Sequence, residues 1–210
     1  MRRMSRGGSR HTRFARSSAG AAAAIVAATL LLTGCSSDPL ADQYREGSGK
    51  NYIAGDGTVA EFASENREAP VVFSGETVDG LEFDSADQAG KVMVVNFWYA
   101  ACAPCRVEAP ILQQVHEEFG DEVAFVGVNV RDQAGTAAPF EEKFGITYPT
   151  ILDTDEGRVQ LAFAGKVPPA AVPTTLVLDR EGRVAARILG QLKDASILSS
   201  IVGDLQDEGA

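Results

Sequence analysis

The 210-residue sequence predicts an α/β domain with a central mixed β-sheet flanked by helices. Two continuous apolar runs, "KVMVVNFW" (91–98) and "EVAFVGVNV" (122–130), read as strands covered on both faces. The segment between them carries apolar residues at helical spacing, so the two strands are joined by a helical crossover and run parallel. Two further strand patterns, "TTLVLD" and "RVAARIL", flank Arg180-Glu181-Gly182 as a hairpin, which adds antiparallel pairing to the same sheet.

In chain order, residues 1–34 read as an export leader. Arg2, Arg3, Arg6, Arg10, Arg13 and Arg16 precede an apolar run from Ala19 to Leu32, and no acidic residue interrupts either part. The run is too short for a convincing membrane span. It ends in Leu32-Thr33-Gly34-Cys35, which resembles the bacterial lipobox, whose cysteine is lipidated and becomes the new N-terminus after cleavage. Without the leader, 13 basic residues face 29 acidic ones, a net charge near −16. Such a surface repels nucleic acid and anionic headgroups, so neither is an expected partner, and membrane attachment falls to the lipid on Cys35.

Residues 35–67 are polar and rich in Gly, Ser, Asp and Glu, with scattered Tyr44, Tyr52 and Ile53, and read as a tether. About 30 flexible residues reach roughly 30 Å. Residues 68–210 have the size of one domain with a proper core. Its first element is a β-hairpin, "VVFSGETVDGLEF" (71–83), turned at Asp79-Gly80 and added before the first buried strand. After strand 91–98 a helix runs from near Cys102 to Phe119, with Val107, Ile111, Leu112, Val115 and Phe119 as its apolar stripe. Strand 122–130 follows, then a helix from about Ala137 to Phe144 closed by Gly145, a short stretch "PTILD" (149–153) and the hairpin at 180–182. The last helix, about Asp194 to Leu205, carries Ile197, Leu198, Ile201, Val202 and Leu205 on one face.

The chemistry concentrates in "NFWYAACAPCRVEAP", where Cys102 and Cys105 stand at a strand-to-helix junction. Unpaired N–H groups and the macrodipole at a helix start favour an anion, which makes Cys102 the stabilised thiolate and attacking nucleophile. Cys105, about one turn on, is the shielded resolving thiol. A structural staple spanning two residues closes too small a loop to stabilise much. A zinc site needs about four ligands, and beyond Cys35 only this pair and His116 remain; His116 itself belongs at the polar edge of the helix. Copper carriage lacks methionines, since Met93 sits in a core strand, and a papain-like nucleophile lacks its partners. Dithiol exchange remains, with no cofactor and no metal.

The same segment resembles the active-site region of thioredoxin-fold proteins of the TlpA/ResA type, extracytoplasmic thiol-disulfide oxidoreductases often anchored as lipoproteins. The resemblance spans about residues 68–206 and implies a thioredoxin-like fold. It implies that Cys102 and Cys105 are the redox pair, that Glu108 is the acidic residue of the "CRxExP" continuation, and that Pro110 kinks the helix. "AAVPTTLVLD" matches the segment carrying the cis-proline, here Pro173 preceded by Val172. One departure is clear: the family's usual tryptophan before the first cysteine is Ala101 here, which bears on the surface beside Cys102.

Read on their own chemistry, Val172 and Pro173 would offer backbone groups to a substrate chain if the bond between them is cis; a trans proline at a strand start is the other reading. Trp98 joins them at the site, as a wall more than as chemistry. Glu108, three residues after Cys105, either lies near the pair or faces solvent; the spacing admits both. Asn96 occupies the strand where thioredoxins keep a buried acid, which shifts proton handling toward Glu108. Ala103 gives a thiolate no extra donor and the surface is acidic, so a reducing couple is expected. The family implies a CcdA- or DsbD-like thiol transporter as electron donor, and protein disulfides, apocytochrome c among them, as substrates. The competing readings are a binding lipoprotein whose disulfide never cycles and, more distantly, a peroxidase-like redoxin.

Overall fold

The computed structural model describes residues 52–53, 58–166 and 171–208, all within one compact unit, Gly47–Ala210. The leader, Cys35 and most of the expected tether lie outside the described residues. In chain order the elements are β1 (Tyr52–Ile53), β2 (Val59–Glu61), β3 (Ser74–Glu76), β4 (Glu82–Asp84), β5 (Val92–Trp98), α1 (Ala103–Phe119) and β6 (Val123–Asn129). They continue with α2 (Ala134–Phe144), β7 (Thr150–Leu152), α3 (Arg158–Ala162), β8 (Thr174–Leu178), β9 (Val184–Leu189) and α4 (Ala195–Asp207).

Seven strands form one mixed sheet in the order β1-β2-β9-β8-β5-β6-β7, and β3 with β4 form a separate pair. β5, β6 and β7 run parallel, whereas β8 pairs antiparallel with β5 and β9 antiparallel with β8. β5 and β6 are buried at every position, as their unbroken apolar runs require. Period-2 alternation sorts their side chains: Val92 and Val94 pack with Leu112 and Val115 of α1 and Leu198 and Val202 of α4, while Met93, Val95 and Phe97 pack on the other face with Phe73 and Phe163. The same parity carries Asn96 and Trp98 to the α1 side, which decides the site.

Four details depart from the sequence expectation. The boundary between tether and domain, expected at residue 67/68, falls inside the folded unit. Val59–Glu61 pairs antiparallel with β9, and Arg67 donates to the Phe62 carbonyl and to the carboxylates of Asp179 and Glu208. A three-residue strand on a sheet edge is too short for composition to reveal. The hairpin's first strand starts at Ser74, because the Val71 N–H is taken by the Gly182 carbonyl and that of Phe73 by the Ser85 hydroxyl. α2 begins at Ala134, three residues before the expected start, and α3 was unforeseen.

On α1 the buried face is rotated from the expected stripe. Val107 is 53% exposed, whereas Glu108 and Gln113 are buried beside Leu112 and Val115. Gln113 is accommodated because its amide bridges Glu117 and Thr147 and accepts the Thr147 N–H. On α4 Leu198, Ile201, Val202 and Leu205 are buried as expected, whereas Ile197, expected on the same face, is exposed. Among the described residues no helix is long and apolar enough to cross a membrane.

Candidate active site

Cys102 is the N-cap of α1, and its sulfur accepts the Cys105 N–H at 3.2 Å. Ala103 and Pro104 open the first turn, where a proline costs nothing because that N–H has no helical partner. The turn brings the two Cα atoms to 5.3 Å, and the cysteines are joined as a disulfide. α1 runs on through Pro110 to Phe119. Exposure does not separate the two cysteines in this state: Cys102 is 3% exposed and Cys105 2%, so the openness expected of Cys102 is absent from the disulfide form.

Glu108 lies on the buried side, and so the two positions its spacing allowed are resolved. It is 1% exposed, and its carboxylate accepts the Asn96 amide at 2.8 Å and the Leu192 N–H at 3.0 Å. Asn96 reaches it because strand parity aims the side chain at α1, and the amide also donates to Thr175, its register partner on β8. Burial pushes the Glu108 carboxyl up to about 7, with the Leu192 and Asn96 donors partly opposing. A buried carboxyl near neutrality can hold or release a proton under ordinary conditions.

Asn96 and Cys105 share the lining of a cavity of about 10 Å³, closed by Trp98, Tyr148 and Thr150, with room for one water at most. The polar floor of this cavity was not legible in the sequence. Tyr148 is held protonated by burial and then by the charges of Glu108 and Glu141. Trp98 stacks on Phe140 with centroids 4.2 Å apart and is 4% exposed, so it forms the wall behind the pair. The Val172–Pro173 bond is cis, and Val172 packs against the cluster that contains both cysteines. His116 is not at a polar edge: its ring lies against Phe125 and Tyr148, its Nδ1 is buried without a partner, and burial lowers its pKa. Among the described residues no cluster of His, Cys, Asp or Glu is arranged to hold a metal.

A family model described as AhpC/TSA matches residues 66–187, more than half of the chain. The chain belongs to the AhpC/TSA family. Within that family it is similar to "Thiol-disulfide oxidoreductase ResA" of Bacillus subtilis, 32% identical over 138 residues that span 65% of this chain and 74% of that protein. It is also similar to "Thiol:disulfide interchange protein HelX" of Rhodobacter capsulatus, 35% identical over 157 residues, or 73% of this chain and 85% of the other. Among solved structures, a DsbF homologue from Corynebacterium diphtheriae superposes with a TM-score of 0.65 at 36% identity, covering 76% of this chain and all of that one. The sheet order and these relatives give the domain a thioredoxin-like fold. With a disulfide at the head of α1, this AhpC/TSA member is a thiol-disulfide oxidoreductase.

Proposed function

We propose that the protein works as a membrane-tethered, extracytoplasmic reductase of protein disulfides, with Cys102 as nucleophile and Cys105 as resolving thiol. The observation that carries this reading is the disulfide at the N-cap of α1 with a carboxyl, Glu108, buried on the same helix, raised toward neutrality by that burial and hydrogen-bonded by Asn96. In the dithiol form the Cys102 thiolate attacks one sulfur of a substrate disulfide, forms a mixed disulfide and releases the first substrate thiolate. Cys105 then gives its proton to the Glu108 carboxylate and attacks the Cys102 sulfur, releasing the second substrate thiolate and leaving the Cys102–Cys105 disulfide. Val172 and cis-Pro173 form the edge along which the substrate chain is laid, with Trp98 as the wall behind.

Electrons return from a second dithiol, for which a CcdA- or DsbD-like transporter is the family's candidate, and apocytochrome c is the candidate substrate. The leader and the Leu32–Cys35 box support lipidation at Cys35, with residues from 36 up to the first strands as the tether. The low exposure of Cys102 supports a second reading, a binding protein whose disulfide never cycles. Insulin reduction with dithiothreitol separates the two, and titration of the couple against glutathione buffers gives its potential. A potential below that of glutathione with turnover is expected; an oxidising potential overturns the reductase, and a disulfide that never opens leaves the binder. Cys35→Ser should release the protein from membranes and remove the lipid mass, and a wild-type protein without lipid overturns the anchor.

A further inference from the structure

The turn that delivers Cys102 to α1, Tyr99–Ala101, belongs to no regular element, and two of its three residues are alanines with little side chain to pack. Such a turn must be fixed through its backbone groups. Both groups of Ala100 are held by side chains from elsewhere. Its N–H donates to Asp132 Oδ2 at 2.5 Å, and its carbonyl accepts Arg106 Nη1 at 3.1 Å. The Cys102 N–H then closes the turn onto the Tyr99 carbonyl at 3.1 Å, and the Arg131 guanidinium lies 4.2 Å from the Tyr99 ring centroid.

Asp132 is itself anchored on several sides. Asn129, fully buried at the end of β6, donates to the same Oδ2 at 3.0 Å and accepts the N–H groups of Arg131 and Asp132 at 3.0 and 2.7 Å. The Thr154 hydroxyl, just past β7, donates to the Asp132 carbonyl at 3.0 Å. The carboxylate therefore links the carboxyl end of β6 to the turn before the redox pair, and the Asp132 backbone is held in turn by Thr154, just past β7. This is the end of a parallel sheet at which α/β proteins assemble their sites.

We propose that Asp132 is a positioning residue for the redox reaction: its carboxylate fixes the Tyr99–Ala101 turn and with it the seat of the Cys102 sulfur at the head of α1. The clamp matters most once the disulfide opens, because the sulfur–sulfur bond then no longer holds Cys102 and only the turn keeps it over the helix N–H groups. Ala101 sharpens the requirement, since a small residue there anchors nothing by packing. The proposal rests on the dithiol reading of Cys102 and Cys105 and is indifferent to the direction of electron flow.

The test measures iodoacetamide alkylation of Cys102 against pH in a Cys105→Ala background, together with the potential of the intact couple. Asp132→Ala should raise the Cys102 pKa, cutting the thiolate fraction at neutral pH about tenfold, and shift the potential to match. Asp132→Asn keeps an oxygen that can accept from Ala100 and Asn129, and should restore both values. If Asp132→Ala does not fold, Thr154→Val loosens the same anchor from outside and should give a smaller shift of the same sign. Equal effects of Asn and Ala would make Asp132 a source of charge and overturn the clamp. Unmoved pKa and potential in Asp132→Ala, or in Thr154→Val where Asp132→Ala fails to fold, would also overturn it. A wild-type disulfide that dithiothreitol never opens would overturn the dithiol reading and this proposal together.

Discussion

Around Cys102 the structure is made of backbone hydrogen bonds, whereas around Cys105 it is made of packed side chains. The turn before Cys102 is tied through Ala100 to Asp132 and Arg106, and the sulfur accepts the Cys105 N–H in the first turn of α1. Cys105, one turn on, borders a cavity of about 10 Å³ walled by Trp98, Tyr148 and Thr150, and Asn96 joins that cavity to Glu108. A single covalent bond thus joins a sulfur at the helix N-cap to one that borders a cavity whose Asn96 holds the Glu108 carboxylate. On the proposed mechanism this contrast is what separates the work of two residues that are equally hidden in the disulfide form.

The bluntest way to break the comparison is to delete either sulfur. Cys105→Ala should accumulate mixed disulfides with substrate proteins, because nothing remains to resolve them, while Cys102→Ala should trap almost none and lose all turnover. Gel shifts under non-reducing conditions read the outcome. Similar trapping by both variants would mean that the two environments do not divide the labour, and that opening of the disulfide rearranges the site.

The next largest effect lies on the Cys105 side, at Glu108. Its folded-state pKa of about 7 stands above the ordinary glutamate value. Between those two pH values the folded protein binds a proton that the unfolded chain does not, so this group's contribution to stability falls as pH rises from about 4.5 to 7. The loss amounts to roughly 3 kcal/mol. Glu108→Gln cannot titrate. Hence the difference in unfolding free energy between oxidised wild type and variant should drop by about that amount between pH 4 and pH 8, measured by denaturant titration. The reduced variant should have a lower Cys102 pKa, a more oxidising potential and slower disulfide reduction near neutral pH. Parallel stability curves would mean that the carboxyl is solvated.

How much of this contrast could be read in the sequence differs between its halves. The Cys102 half was partly legible, because a CxxC at a strand-to-helix junction places the first sulfur at an N-cap by helix geometry alone. Asp132 was not, since it lies 27 residues beyond Cys105, in "NVRDQ", and only the parallel pairing of β5 with β6 carries it to the turn. In the Cys105 half, Glu108 was visible as a candidate but its burial was not. A charged residue on a helix reads as surface, and the expected stripe accordingly ran through Val107, which is exposed, and not through Glu108. The deciding fact is that Asn96 shares a strand face with Val92 and Val94, so a polar residue waits on the core side of α1. The main sheet and its principal helices were legible because strong period-2 and period-3.6 patterns generate them. Edge strand β2 and the five-residue α3 were not, because elements that short carry no period of their own.

The smallest predicted effect tests how closely the Cys105 side is packed. Gly127 lies in β6 between Asn96 on β5 and Thr150 on β7, beneath the cavity. A Cβ there would lie 2.5 Å from the Thr150 hydroxyl oxygen and 2.9 Å from Trp98 Nε1. The glycine is required by space and not by backbone conformation, since no left-handed φ occurs at this position. Gly127→Ala must therefore turn the Thr150 side chain or push Trp98 off Phe140, and overpacking of this kind costs about 1–3 kcal/mol. Denaturant unfolding should record that loss. Removing the opposing hydroxyl with Thr150→Ala in the same chain should recover part of it, as expected of neighbours that share one contact. The clamp on the other side does not pass through Gly127, so Cys102 in the Cys105→Ala background should alkylate at its usual rate. A Gly127→Ala protein as stable as wild type would mean that the cavity floor yields freely and that the two sides of the disulfide differ in polarity alone.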